Sequence, residues 1–155
     1  MDRYALKVAN LLVGNKEGDA ALEAVFAGPE LQFEDRRIVA VTGAELPPKV
    51  DDEWRPTWTA FVVEKDQTLS FGFLKRGARA YIAVSGGIDV PTVLGSRSTY
   101  TLGSFGGFEG RGLKADDLLN LGEATLRRRA GIEVRPELRR EVVAETALRV
   151  LPGLY

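Results

Sequence analysis

The stretch TAFVVEKDQTLSFGFLKRGARAYIAVSGG, residues 59–87, decides the fold. It holds runs rich in Val, Ile, Phe and Thr at 59–66, 68–74 and 78–86, separated by Lys-Asp and Arg-Gly turns. β-branched and aromatic side chains suit a pleated, half-buried surface, and connections this short join antiparallel neighbours. Upstream, LEAVFAG (22–28), LQFED (31–35) and RIVAVTG (37–43) repeat the pattern across Gly-Pro and Pro-Pro turns. This spacing predicts a mainly β fold, an antiparallel sheet closing on itself as a β-barrel with one or two short helices.

One helix precedes the strands. Asp2 can cap it, Ala5, Val8, Ala9 and Leu12 fall at helical spacing, and Gly14 supplies a left-handed stop. Residues 113–121 read as a further strand closing the barrel, with Asp116 and Asp117 at its bend. From Glu123 to Val143, Arg127, Arg128, Arg129, Arg135, Arg139 and Arg140 mix with glutamates around Pro136. That composition predicts a solvated connector, less ordered than the barrel, with a helical turn begun at Pro136. TALRVLPG (146–153) reads as a strand in need of a partner. The expected division is a barrel domain over 1–122, then a linker and the start of a second half over 123–155.

Composition narrows the chemistry. The chain has 155 residues, 45% of them hydrophobic and 28% charged, which is ordinary for one globular domain with a core. Lys and Arg number 21 against 22 Asp and Glu, a formal charge of -1, so no overall field favours nucleic acid or an anionic membrane. No apolar run is long enough to span a bilayer and no signal peptide opens the sequence, so a cytoplasmic location is expected. Cysteine and histidine are both absent. Ser-His-Asp and Cys-His sites, and zinc sites built on His or Cys, are therefore excluded from these residues.

After the last strand, SGGIDVPTVLGSRSTYTLGSFGGFEG (85–110) packs glycine-rich turns among hydroxyls and one arginine. So many glycines suggest a shaped loop surface that faces a ligand or a partner. Gly95 followed by Ser96, Arg97, Ser98 and Thr99 can form a nest of N–H groups beside a guanidinium fork, suited to a carboxylate, phosphate or developing oxyanion. Equally, the hydroxyls can cap the loop's own backbone. Asp89, after Gly86 and Gly87, is a possible base or an Asx-turn residue. Arg79 and Tyr81 point to one face of their strand, either as a pocket floor or as a core tyrosine and a paired arginine. Lys75 to Arg79 form a basic turn, and Arg111 and Lys114 flank the turn that follows Gly106 and Gly107; both turns read as solvated hairpin ends or as ligand contacts. Trp54 and Trp58 read as covers for a barrel end, or as a stacking surface for a flat ureido ring. Neither a Walker loop nor a dinucleotide fingerprint is present.

Several motifs occur in one order: MDRYALKVANLLVGN (1–15), AGPELQFEDR (27–36), VTGAEL (41–46), GGIDVPTVLGSRSTY (86–100) and GGFEGRGLKADDLL (106–119). Together they resemble the biotin-dependent carboxyltransferase A/B family, which includes allophanate hydrolase subunit 2, the carboxyltransferase region of urea amidolyase and the KipA-type subunit of 5-oxoprolinase. The pattern departs at Asp116, where the family more often has Gly-Asp. The resemblance implies a cyclophilin-like barrel, the first of two such units, and hence a fragment that is catalytically silent alone. It further implies a subunit of ATP-dependent 5-oxoprolinase, a lactam hydrolase that opens 5-oxoproline to glutamate with a KipI-type protein and a LamB/YcsF-type subunit. The alternatives it carries are the carboxyltransferase of a biotin-dependent urea carboxylase and a regulator that binds a KipI-type kinase inhibitor. For the amide chemistries, Ser96, Arg97, Ser98 and Thr99 would stabilise charge on a carbonyl oxygen.

Overall fold

The computed structural model describes residues 2–124, 130–140, 147, 150 and 151. Helix α1 (Arg3–Val13) begins and ends as its sequence dictates. The Asp2 side chain accepts from the Tyr4 and Ala5 N–H groups, and Gly14 closes the helix at φ 86°. The strands are β1 (Leu22–Val25), β2 (Leu31–Gln32), β3 (Arg37–Glu45), β4 (Pro48–Val50), β5 (Glu53–Trp54), β6 (Ala60–Val63), β7 (Thr68–Phe71) and β8 (Arg76–Val84).

These strands do not close into the expected single barrel. Among the described residues they form two four-stranded antiparallel sheets, ordered β1-β8-β3-β6 and β2-β7-β4-β5. Residues 113–121, expected to complete a barrel, contain no strand; only Leu121 bridges, to Ile88. The physical reason lies in the partners. Loop backbone at 120–122 is engaged by Asp89, Gly87 and Arg37 and lies across the end of β8, where it extends no ladder. The Pro-Pro pair expected only as a turn instead starts β4 at Pro48.

The first sheet is buried on both faces, which explains the unbroken apolar runs in β3 and β8. Val39, Val41, Ala80, Ile82 and Val84 pack toward the second sheet, against Val50 and Leu69. The alternate residues Ile38, Ala40, Tyr81 and Ala83 pack against Ala5, Ala9, Leu12 and Val13 of α1. Alanine dominates that second contact, so helix and sheet approach closely, and the Thr42 hydroxyl donates to the Ala5 carbonyl at 2.8 Å. Trp58 is buried in the same layer, whereas Trp54 is exposed with Lys49 Nζ 4.4 Å from its ring centre.

The helical turn expected at Pro136 is present as a 3-10 helix, Pro136–Leu138. Residues 131–134 run beside β6, with Ala60 N–H donating to Ile132 O at 2.8 Å and Val134 N–H to Trp58 O at 2.9 Å. Ile132 and Val134 pack against the helix-side core, and the Tyr4 hydroxyl donates to Leu138 O. The Arg127, Arg128 and Arg129 cluster lies outside the described residues, as does most of the strand expected over 146–153. Among the described residues no helix is long and apolar enough to cross a membrane.

Candidate functional site

Where β8 ends, the chain must turn within a crowded junction. Gly86 has φ +95°, and a side chain there would collide with the Gly122 carbonyl oxygen. Its N–H donates to the Asn15 side chain at 2.9 Å, and Asn15 in turn donates to Asn10 Oδ1 and Val84 O. Arg37 closes the junction from the other side, donating to Ser85 O at 2.9 Å and Gly122 O at 2.7 Å while Asp35 grips it through two bonds of 2.7 Å. The Arg37 hydrogen bonds hold the Asp35 carboxyl below its ordinary pKa, against a smaller opposing effect of burial. These contacts fix the root of the glycine-rich loop.

The loop then folds upon itself. Val93 and Ser96 exchange backbone bonds, as do Tyr100 and Phe105, whose rings lie 5.3 Å apart. A side chain at Gly106 would run into Ser98 O, and one at Gly110 into Ser104 O. These glycines serve close approach within the loop. The N–H of Ser96 bonds Val93 O and that of Ser98 bonds the Ser96 hydroxyl, so two donors of the expected nest already have partners.

Beyond the hairpin, Arg111 grips Asp117 through parallel bonds of 2.7 and 2.8 Å and also holds Glu109 and Gly112 O. Asp117 additionally accepts the Lys114 N–H at 2.7 Å. The Arg111 bonds first, then the Lys114 N–H, pull the Asp117 pKa down from 3.8 to about 2. Asp116 beside it has φ +68°, a conformation glycine adopts most easily and Asp tolerates.

A depressed carboxylate pKa contributes stability that is complete above the unfolded value and lost as pH falls through the folded one. For Asp117 that window runs from near pH 4 down to about pH 2. Asp117→Asn should therefore destabilise at neutral pH and flatten the loss of stability over this window, measured by urea midpoints at each pH. Equal acid slopes for the two proteins would contradict the assignment.

The loop and β1 enclose a groove of about 620 Å³. Arg97, Ser98 and Thr99 line it together with Glu23, Tyr81 and Phe108. A second groove of about 630 Å³ lies between 30–37 and 116–121, and Leu22 and Ile88 line both. The remaining sequence candidates are distributed around these walls. Gly107 and Arg111 border the first groove, while Gly86, Gly87 and Gly106 serve the loop's backbone. Asp89 and Lys114 are exposed, and Asp89 Oδ1 lies 3.6 Å from Arg97 Nη1. Arg79 and Tyr81 do share a face, where both bond Glu23.

Sequence reasoning overlooked Glu23, Arg37, Asn10 and Asn15. Antiparallel register places Glu23 opposite Tyr81, a pairing invisible without knowing which strands are neighbours. Two asparagines flanking a helix C-terminus were the available signal for the buried amides.

The carboxyltransferase domain model, subdomains A and B, matches residues 1–155. Urea amidolyase of Saccharomyces cerevisiae is 42% identical over 121 residues, 78% of this chain and 7% of that protein. The C-type subunit of 5-oxoprolinase from Escherichia coli is 37% identical over 155 residues, 99% of this chain and 48% of that protein. Among solved structures, TTHA0988 superposes with TM-score 0.87 at 33% identity, covering 99% of this chain and 55% of that one. The Kluyveromyces lactis urea amidolyase superposes with TM-score 0.84 at 34% identity over 92% of this chain and 9% of that one. The chain belongs to the carboxyltransferase A/B domain family. It spans about half the length of the 5-oxoprolinase subunits it matches and a small part of the amidolyases.

Proposed function

We propose that this chain forms part of a KipA-type subunit of ATP-dependent 5-oxoprolinase, which with a KipI-type protein and a LamB/YcsF-type subunit opens the lactam of 5-oxoproline to glutamate. One observation carries the reading: the alignment to the C-type 5-oxoprolinase subunit extends over 99% of the chain, against 78% for the S. cerevisiae amidolyase. Identity alone points the other way, 37% against 42%. Sequence reach supports the 5-oxoprolinase reading, as does the share of the relative that this chain accounts for, 48% of the 5-oxoprolinase subunit against 7% of the amidolyase. The fold is common to both, since the K. lactis urea amidolyase superposes over 92% of the chain. The 42% identity supports a second reading, a urea carboxylase carboxyltransferase.

In either reading the working surface is the groove between β1 and the loop. Both substrates present an amide-like carbonyl and N–H. Arg97 Nη1 donates to Ile88 O at 3.4 Å and lies 3.6 Å from Asp89 Oδ1, and its remaining N–H groups can donate to a carbonyl oxygen as negative charge develops on it. The loop does not suit nucleotide phosphates, since its glycines at 106 and 110 are filled by the loop's own carbonyls, and ATP handling is assigned to the rest of the assembly. Of the two tryptophans read as a stacking surface for a ureido ring, Trp58 is buried and Trp54 carries Lys49 over its ring.

The test is reconstitution of the complete protein with its partner proteins. ATP-dependent formation of glutamate from 5-oxoproline is expected; turnover of urea instead would transfer support to the second reading. In the active assembly, Arg97→Lys should lower kcat/KM about tenfold, roughly 1.4 kcal/mol, with an unchanged melting temperature. Parallel loss of stability and activity would make Arg97 a structural clamp.

A further inference from the structure

Glu23 stands on the wall of the same groove, with Arg97 also among the lining residues. Its carboxylate is held by two donors: the Tyr81 hydroxyl donates to Oε2 at 2.7 Å and Arg79 Nε donates to Oε1 at 3.1 Å. Tyr81 is itself fixed, fully buried and accepting the Asp2 N–H at 2.8 Å. Burial first, then the bond to Glu23, pushes the Tyr81 pKa up to about 12, so this phenol remains a donor at neutral pH.

A carboxylate has roughly four acceptor positions. Among the described residues two are occupied here, one on each oxygen, and the Glu23 side chain remains 34% exposed. Cross-strand pairing thus delivers an oriented acceptor with spare capacity to a groove that also contains the guanidinium of Arg97, of which Nη1 is engaged by Ile88 O and the other N–H groups can donate to a ligand. An amide demands that combination, an acceptor for its N–H and a donor for its carbonyl.

We propose that Glu23 is the acceptor for the substrate's amide N–H, held in place by Arg79 and Tyr81 as positioning residues, with Arg97 taking the carbonyl oxygen. This inference rests on the amide-ligand reading of the groove given above, and it adds a specificity rule: the ligand must carry a free N–H. A site that hydrogen-bonds a donor discriminates strongly against an analogue lacking it, because its own polar group is left unpaired.

The experiment compares turnover of 5-oxoproline and N-methyl-5-oxoproline, and binding of urea and N,N,N′,N′-tetramethylurea, which has no N–H to exchange for a carboxyl group, in the reconstituted full-length assembly. Wild type should prefer the N–H compound of its working pair by at least about 30-fold, in kcat/KM for the lactams or in Kd for the ureas. Glu23→Met, which keeps chain length and removes both acceptors, should bring that preference within about threefold. An unchanged preference in Glu23→Met would identify simple steric exclusion of the methyl group and overturn the proposal, as would wild type that accepts both compounds equally. If Glu23→Met does not assemble, Glu23→Asp, which withdraws the carboxylate by one methylene, is read the same way. Turnover of urea but not 5-oxoproline would overturn the 5-oxoprolinase assignment while the urea pair still decides the role of Glu23. Turnover of neither would overturn both.

Discussion

Gly86→Ala is expected to destabilise the domain by about 3 kcal/mol. Two costs combine. A left-handed backbone costs an L-residue roughly 1–2 kcal/mol, and overpacking adds about 1–3 kcal/mol. The obstruction is the Gly122 carbonyl, well inside contact distance of the added methyl, and backbone has no rotamer by which to escape. Gly95→Ala separates the two costs, because Gly95 has φ +76° but nothing within 4 Å of an added Cβ. Its loss should be about 1 kcal/mol, the left-handed cost alone. Urea unfolding of both variants checks this, and equal losses would show that the junction relaxes around the methyl group.

Arg37→Ala should cost a similar amount, about 3 kcal/mol, by removing the donor from Ser85 O and Gly122 O at the junction. For a chain of this size that lowers the melting temperature by roughly 6–12 °C. Asp35 is the exposed end of the pair, 57% accessible against 11% for the arginine side chain. Asp35→Asn should therefore cost less than about 1 kcal/mol. Arg37→Lys should recover only part of the loss, since an ammonium cannot reproduce the guanidinium fork. Calorimetry of the three variants gives the ranking, and an Asp35→Asn loss as large as that of Arg37→Ala would place the energy in the ion pair instead of in the two carbonyls.

Local chemistry was legible wherever neighbours in sequence are also neighbours in space. Asp2 and Gly14 mark α1 because caps act within a turn of the helix, and Pro136 starts its short helical turn for the same reason. The contiguous apolar residues of β3 and β8 also announced strands, while leaving open what covered each face. A helix covers one face and the second sheet the other, so alternation between polar and apolar residues never had reason to appear.

The sequence by itself determined a mainly antiparallel β chain with one capped helix, a glycine-rich loop after its last long strand, and chemistry that must come from carboxylates, lysine, tyrosine, hydroxyls or backbone dipoles, or from a partner. Tertiary structure alone decided that the strands divide into two sheets and that residues 113–121 cross the end of β8 without joining a ladder. It also decided that Arg111 is held by Asp117, and that Glu23 meets Tyr81 and Arg79 beside a groove containing Arg97. The difference is one of range: capping, turn preference and side-chain alternation are set within a few residues. Pairing Glu23 with Tyr81, or Arg37 with Gly122, depends on long-range packing that no local pattern encodes.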